Sequence, residues 1–558
     1  MTENKHVGKI IYALVATALA VLMFISAAVK GLLGLDDTAL GAKIAKAATN
    51  TGITQEYESK LFATSDIITV DIIMSDEKWQ ELLDNAIMEE YFECDVVING
   101  ETFKNVGIRA KGNTSLTNIA KDDTNDRYSF KLKFDEFVEG QTCYGLDKLV
   151  LNNNYADATN MKEAVVYDMY AYLGADASLY NYSKISVNGE YIGVYLALEG
   201  VEDSFILRNY GTQRGQLYKP ENMDFGDGPS DKRKSDWKPD WEKDGDFGEG
   251  QNMPEGFKPP EGFPGGEKGD FAGKGPGGGG SGGFGSGGGS NLEYTDDDLD
   301  SYSTIWNGEI NSTSKKDHQR VVKALKAISE GDLSTIEEYM DVDNLLKYMA
   351  VHEFAVNGDS LSGNMAHNYY LYESEGRLNI IPWDYNLSWG GMFGGGGPGK
   401  PRDLITEGDS NDRAPSAASS AESSDATSMI NDPIDDSWQS TNFFDILLEN
   451  EEYNKQYHEY LQMLVDYVEN GGYESLTSRL HEQIDGLVAT DPTAFYTYDE
   501  YEAATEMLDN VIALRAKSIQ GQIDGTIPST SDGQNKESGA LVDGSGIDTS
   551  VMGRMDNH

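Results

Sequence analysis

The segment Val356–Gly391, VNGDSLSGNMAHNYYLYESEGRLNIIPWDYNLSWGG, carries the densest set of reactive side chains in the chain. Asp359 comes first, then Asn364 and Asn368, then a β-like run YYLY, a short turn, a second apolar run, and Asp384 within Pro-Trp-Asp-Tyr-Asn. Phosphoryl transfer asks little covalent chemistry of a protein. It needs a carboxylate beside the accepting hydroxyl and oxygen ligands for the metal ions on the phosphates. Mg²⁺ takes one or two carboxylate or amide oxygens and keeps water or phosphate in its other positions. The same two aspartates could instead serve as the paired carboxylates of a glycosidase, which stand roughly 5–10 Å apart across a sugar. Trp383 and Trp389 keep that reading open, although tryptophan clusters near both acids are lacking.

In protein kinases an Asp and an Asn lie on a loop before a strand hairpin, and a second Asp follows the hairpin. The order here is the same. Earlier in the chain, VGIRAKGNTS, SFKLKFDEF, LNNNYADATNMKEA, VNGEYIGVYLALEGVEDSF and LYKPE occur in that sequence before HNYYLY and IPWDYNLSWG. Taken together these segments resemble the spore-coat protein H (CotH) family of atypical protein kinases, over most of residues 66–470. The resemblance implies ATP and Mg²⁺ or Mn²⁺ as cofactors. It implies Asp359 as the catalytic-loop residue that positions or deprotonates the substrate hydroxyl, and Asp384 as the metal-binding acid. Asn368, directly before the strand, is the preferred metal-binding amide; Asn364, five residues after Asp359, is the other candidate. Asn386 stands where an Asp is common, so a second metal contact there is in doubt.

For the nucleotide the candidates are more spread. Lys111-Gly112-Asn113-Thr114-Ser115 follows a strand and opens a loop whose N–H groups could cradle phosphate; no Walker A motif is present. Lys131 is the preferred lysine for the phosphates, with Lys133 and Lys219 as alternatives. Glu163 is the candidate helix partner of that lysine, though Asn160 and Glu163 also fit a capping box. Glu199 sits where a kinase hinge would hold adenine. His352 and His367 are read as packing or hydrogen-bonding residues.

These residues need a scaffold. Ile67–Ile73 reads as a strand and Glu77–Ile87 as a helix. Asp95–Ile98 and Thr102–Ala110 flank Asn99-Gly100, a type I′ hairpin signal, as Tyr182–Val187 and Tyr191–Leu198 flank Asn188-Gly189. Tyr128–Phe134 alternates as a half-buried strand does. Met161, Val165, Val166, Met169, Tyr172 and Leu173 lie on one helical stripe that Gly174 ends. Helical pattern returns at 318–357 and on the face Tyr453, Tyr457, Tyr460, Leu461, Leu464, Val468. The fold class expected is α+β: a two-lobed, atypical protein-kinase-like fold over 66–525, with two disordered Gly/Ser-rich insertions (224–291 and 390–430) and a disordered tail, 526–558.

Residues 10–29, IIYALVATALAVLMFISAAV, are apolar over a bilayer-spanning length, with Lys5 and Lys9 before them. The expectation is a single-pass anchor with a cytoplasmic tail at 1–9, a polar stalk at 30–65 and an extracytoplasmic catalytic domain on a bacterial membrane; cleavage after Ser26-Ala27-Ala28 is left open. The net charge of −50 repels nucleic acid and favours basic, Ser-rich protein substrates. Cys94 and Cys143 match no zinc or disulfide pattern. The competing function is a non-catalytic surface scaffold for cell-wall, spore-coat or matrix assembly.

Overall fold

The computed structural model describes residues 52–63, 65–122, 124–211, 215–220, 287–363, 366–392, 426–438 and 440–555. The expected membrane segment 10–29, the start of the stalk, the insertion up to residue 286, the loop 393–425 and Asn364 lie outside the described residues.

Seven strands form a closed barrel: β1 (Ile68–Ile73), β2 (Phe92–Ile98), β3 (Glu101–Lys111), β4 (Ser129–Lys133), β5 (Lys148–Asn152), β6 (Tyr180–Val187) and β7 (Glu190–Glu199). Their order is β1-β2-β3-β4-β5-β7-β6, and parallel pairing of β1 with β6 closes the ring. Both Asn-Gly turns take positive φ at both residues (Asn99 49°, Gly100 85°; Asn188 52°, Gly189 85°), which matches the twist of the hairpins they join. Alternation sends Ile108, Ala110, Phe130, Leu132, Leu149, Leu151, Tyr195 and Ala197 to the barrel core.

The opposite faces of β5, β6 and β7 are apolar too. Val150, Tyr182, Val194, Leu196 and Leu198 belong to the same core as the helices. Helices α1 (Lys162–Leu173), α2 (Lys315–Glu330), α3 (Val342–Ala355), α4 (Glu451–Glu469), α5 (Gly472–Val488) and α6 (Tyr498–Ile523) share this core, with α1 and α5 packed on the strands themselves. Helix α3 is buried at every position but Asp343, its polar side chains included. A three-stranded antiparallel sheet, β8 (Gln216–Tyr218), β9 (Tyr369–Ser374) and β10 (Arg377–Pro382), lies in the order β10-β9-β8.

This corrects the expected two-lobed, kinase-like fold; the expected transmembrane helix falls at 10–29, outside the described residues. The strands close on themselves, and the outer wall of the barrel shares one contiguous core with the helices. Local periodicity identifies strands but carries no sign of the β1–β6 pairing, which joins Ile68 to Ser183. No helix among the described residues is long and apolar enough to cross a membrane. Two segments expected to lie outside the folded domain, the polar stalk and the disordered tail, are packed. In the stalk, Tyr57 and Leu61 are fully buried. The tail carries a helix, Ser531–Lys536, and buries Ile527, Val542, Ile547 and Met552.

Candidate functional site

Helix α3 delivers the chain to the site. It ends at Val356, whose φ of 46° is costly for a β-branched residue and turns the backbone sharply. Asn357 follows, fully buried. Its Oδ1 accepts from the Asp359 amide at 3.2 Å, and its Nδ2 donates to the Asp384 carbonyl at 3.3 Å. One side-chain amide thus fastens the backbones of both aspartates. The Asp359 carboxylate is held at both ends: His367 Nε2 lies 2.6 Å from Oδ1, and Asn368 Nδ2 donates to Oδ2 at 3.1 Å and to the Asp359 carbonyl at 2.8 Å. Each carboxylate oxygen retains a lone pair for a further donor. The side chains of Asp359 and His367 are 13% and 14% exposed, so the pair is reachable from solvent.

Asp384 emerges from β10 with φ 63°, and Asn368 enters β9 with φ 55°. Left-handed non-glycine residues on both sides of one hairpin are stored strain of the kind found where side-chain aim matters more than backbone comfort. Trp383 packs edge-on against Tyr370, ring centroids 5.4 Å apart. Lys111 Nζ stands 5.8 Å from the Trp383 ring and Lys219 Nζ 5.9 Å from the Tyr370 ring. Two cations therefore flank the aromatic pair next to Asp384, at the outer limit of cation–π attraction.

Lys111, at the end of β3, is opposite Ser129, and beyond it on β5 comes Asn152. Lys111 Nζ donates to Asn152 Oδ1 at 2.7 Å, and Asn152 Nδ2 donates to Glu163 Oε2 at 2.7 Å. The lysine and the helix glutamate are thus joined through an amide. Glu163 does not cap its helix: the N-cap is Met161, with no side-chain capping bond. Burial, and then the neighbouring Asp384 carboxylate, push the Glu163 carboxyl up to about 8; the Asn152 bond, Lys111 and the Tyr385 amide act in the other direction. Its Oε1 is buried and carries no well-formed hydrogen bond.

The donor set suits a Mg²⁺ or Mn²⁺ ion. Two carboxylates, Asp384 and Glu163, repel one another, one buried oxygen is orphaned, and Asn368 uses its NH₂ on Asp359 so that its carbonyl oxygen is left for another partner. No three His, Cys, Asp or Glu side chains among the described residues are grouped to hold a metal by themselves.

Asp359, Asn368, Asp384, Glu163 and Lys111 are linked by these contacts, with Lys219 at the edge of the aromatic pair. Lys131, the preferred lysine, lies opposite Arg109 and Val150, two residues further along β4 than the strand position facing Lys111. Lys133 pairs with Glu136 at 3.2 Å. Glu199 is fully buried and already engaged: Arg208 grips it through Nε at 2.8 Å and Nη2 at 2.7 Å, Tyr57 donates to it at 2.5 Å and the Leu179 amide at 3.1 Å. Asn386 donates to the Tyr155 carbonyl at 2.9 Å. His352 is wholly buried between Tyr385 and Ser362, and burial pulls its imidazole down to about 3, so it is neutral. Sequence reasoning missed Asn152, Asn357 and the contact of His367 with Asp359. For the last, the sequence offers a signal in the adjacency of His367 to Asn368.

Residues 108–255 and 284–519 match the family model described as CotH kinase protein. The chain is also similar to the inner spore coat protein H of Bacillus subtilis (strain 168), 22% identical over 256 residues, which is 46% of this chain and 53% of that protein. It therefore spans about half the length of that relative. The family match runs over well more than half of the chain and through the positions of Lys111, Glu163, Asp359 and Asp384, and the protein belongs to the CotH kinase family.

Proposed function

We propose that this chain is an atypical protein kinase that moves the γ-phosphate of ATP to Ser or Thr hydroxyls of coat, surface or secreted proteins. The observation that carries the reading is the buried Asn357 amide, which ties Asp359 to Asp384 at the mouth of one strained hairpin. Asp359 takes the proton of the substrate hydroxyl as that oxygen bonds to phosphorus; the bond from phosphorus to the β,γ-bridging oxygen breaks, and ADP leaves with that electron pair. His367 and Asn368 keep the Asp359 carboxylate aimed. Lys111, oriented by Asn152 and Glu163, would meet the phosphates, with Lys219 beyond the aromatic pair. Asp384 and Asn368 would hold Mg²⁺ or Mn²⁺, which supplies charge neutralisation on the phosphates. The net charge of −50 favours basic, Ser-rich protein substrates, and the name of the Bacillus relative supports partners in a spore coat.

The test is transfer from γ-labelled ATP to a basic Ser-rich protein with Mg²⁺ or Mn²⁺, using the full chain beside Asp359→Asn and Asp384→Asn. Metal-dependent transfer that falls at least a hundredfold in both variants is expected. Equal transfer by all three overturns the assigned roles. A folded wild-type chain that neither binds ATP nor transfers phosphate sinks the kinase reading and favours the surface scaffold.

A further inference from the structure

The C-terminal residues Thr549–Met555 cross the molecule at the site, and no role has yet been given to them. A short turn of helix, Thr549–Met552, is started by Asp548, whose Oδ1 accepts from the Ser550 amide at 3.0 Å. Met552 is fully buried in the helical core, while Met555 packs on the barrel core together with Leu387 and Met392. Three residues of chain thus tether the two cores to each other.

The backbone bonds of this stretch fall on two particular segments. The Met552 carbonyl accepts from the Ala158 amide at 3.1 Å, and the Gly553 carbonyl from Lys162 Nζ at 3.4 Å. Residues 154–160 form the loop that starts α1, where Asn154, Ala156 and Asn160 all take positive φ, and Lys162 directly precedes Glu163. The Met555 amide donates to the Gly391 carbonyl at 3.1 Å. Gly391 follows Asp384 by one short turn, and a Cβ on its neighbour Gly390 would stand 3.0 Å from Thr549. Gly553 itself has φ +84°, and a Cβ there would meet the Ala156 carbonyl oxygen at 2.7 Å and the Ala158 nitrogen at 2.8 Å. The approach is close enough, and the backbone unusual enough, that a side chain at 553 must lift the strap.

We infer that Thr549–Met555 is an intramolecular strap that sets the register of the two segments carrying Glu163 and Asp384. It is a positioning element: it touches neither acid, but it pins the strained loop before one and the turn after the other. Its consequence for phosphoryl transfer rests on the function proposed above; its consequence for local order does not. The strap follows α6 and every strand of the barrel, so it can be removed and supplied again without cutting into either core.

The experiment compares the full chain, a chain ending at Asp548, and Gly553→Ala. Hydrogen exchange is followed in residues 156–163 and 387–391, and phosphoryl transfer is measured in parallel. In the truncated chain, exchange in both segments is expected to speed at least tenfold and transfer to fall at least tenfold, with remote helices such as Lys315–Glu330 unchanged. A peptide of residues 545–558 restores both readouts, and the same peptide with Met552→Asp restores neither. Gly553→Ala shows the same pattern in weaker form, and decides the matter if the truncated chain does not fold. Unchanged exchange in the two segments overturns the strap, as does faster exchange spread evenly over the whole protein. If the full chain transfers nothing, the kinase reading fails, and the exchange data still judge the strap.

Discussion

Glu199 separates two readings cleanly. Strand counting gives it an adenine-binding role, whereas its surroundings give it a structural one. Its carboxylate is fully buried and accepts from Arg208 Nε and Nη2, from Tyr57 and from the Leu179 amide. Glu199→Ala would strand the Arg208 guanidinium, whose side chain is only 10% exposed, while its Nη2 still donates to the Ala177 carbonyl at 2.8 Å. Breaking one partner out of a buried ion pair costs about 3–5 kcal/mol. Melting entropy grows with chain length, so in a protein of several hundred residues each kcal/mol moves the melting temperature by roughly 1 °C. A fall of roughly 3–5 °C is therefore expected by calorimetry. Replacing both members, as in Glu199→Leu with Arg208→Met, leaves no stranded charge and should recover most of the loss, roughly 2 kcal/mol or more. ATP affinity of the folded single variant, measured by titration calorimetry below its melting range, should stay within about twofold. An unaltered melting temperature combined with a large loss of ATP affinity would refute the structural role and return Glu199 to the nucleotide.

The other perturbations follow from the same contacts. His352 is held far below its ordinary range by burial, so the unfolded chain takes up a proton that the folded one refuses. Stability is complete above about pH 6.5 and declines as pH falls from there toward 3. The decline is about 2 kcal/mol by pH 5, at about 1.4 kcal/mol per pH unit. His352→Gln should flatten that part of the denaturation profile, and a slope that survives the substitution assigns it elsewhere. Asn152→Leu removes both bonds that join Lys111 to Glu163; ATP affinity is expected to drop at least tenfold in a binding titration, while an unaffected Kd removes the amide bridge from the nucleotide site. His367→Ala frees one end of Asp359, so kcat should fall at least tenfold with KM for ATP little changed, and His367→Asn should recover part of it. A rise in KM alone would make His367 a binding residue. Asn357→Ala should cost about 1–3 kcal/mol of stability by chemical denaturation, as two buried backbone groups lose their partner; no change would mean that the clasp is dispensable.

That Asp359 and Asp384 lie near each other was legible because one hairpin separates them, and the hairpin announces itself by alternation. Which candidate lysine lies beside them was not. Lys111, Lys131 and Lys133 alternate along neighbouring strands, and only the cross-strand register shows that Lys111 meets Asn152. Asn152 and Asn357 lie in segments that carry the family resemblance, but a buried amide looks like a turn residue until its two partners are known. Six of the barrel strands were legible, with both Asn-Gly turns, but β5 (Lys148–Asn152) was not, and closure depends on the parallel contact of β1 with β6, far apart along the chain. Polar composition concealed the tail. Its anchoring rests on a few apolar residues and on backbone bonds that any residue can make, so nothing in its average hydropathy distinguishes it from a free end.

The two-sided apolar wall of β5, β6 and β7 has a consequence for synthesis. Every strand of the barrel has left the ribosome soon after Glu199, yet α5, which packs on the outer face of β6 and β7, is encoded only from Gly472 onward. At about 5–20 residues per second the wall stays uncovered for some tens of seconds. A ring that can close early removes its unpaired strand edges but leaves a greasy exterior waiting for its helices. The intervening stretch delays that cover, so shortening it should lower the nascent chain's demand for chaperones.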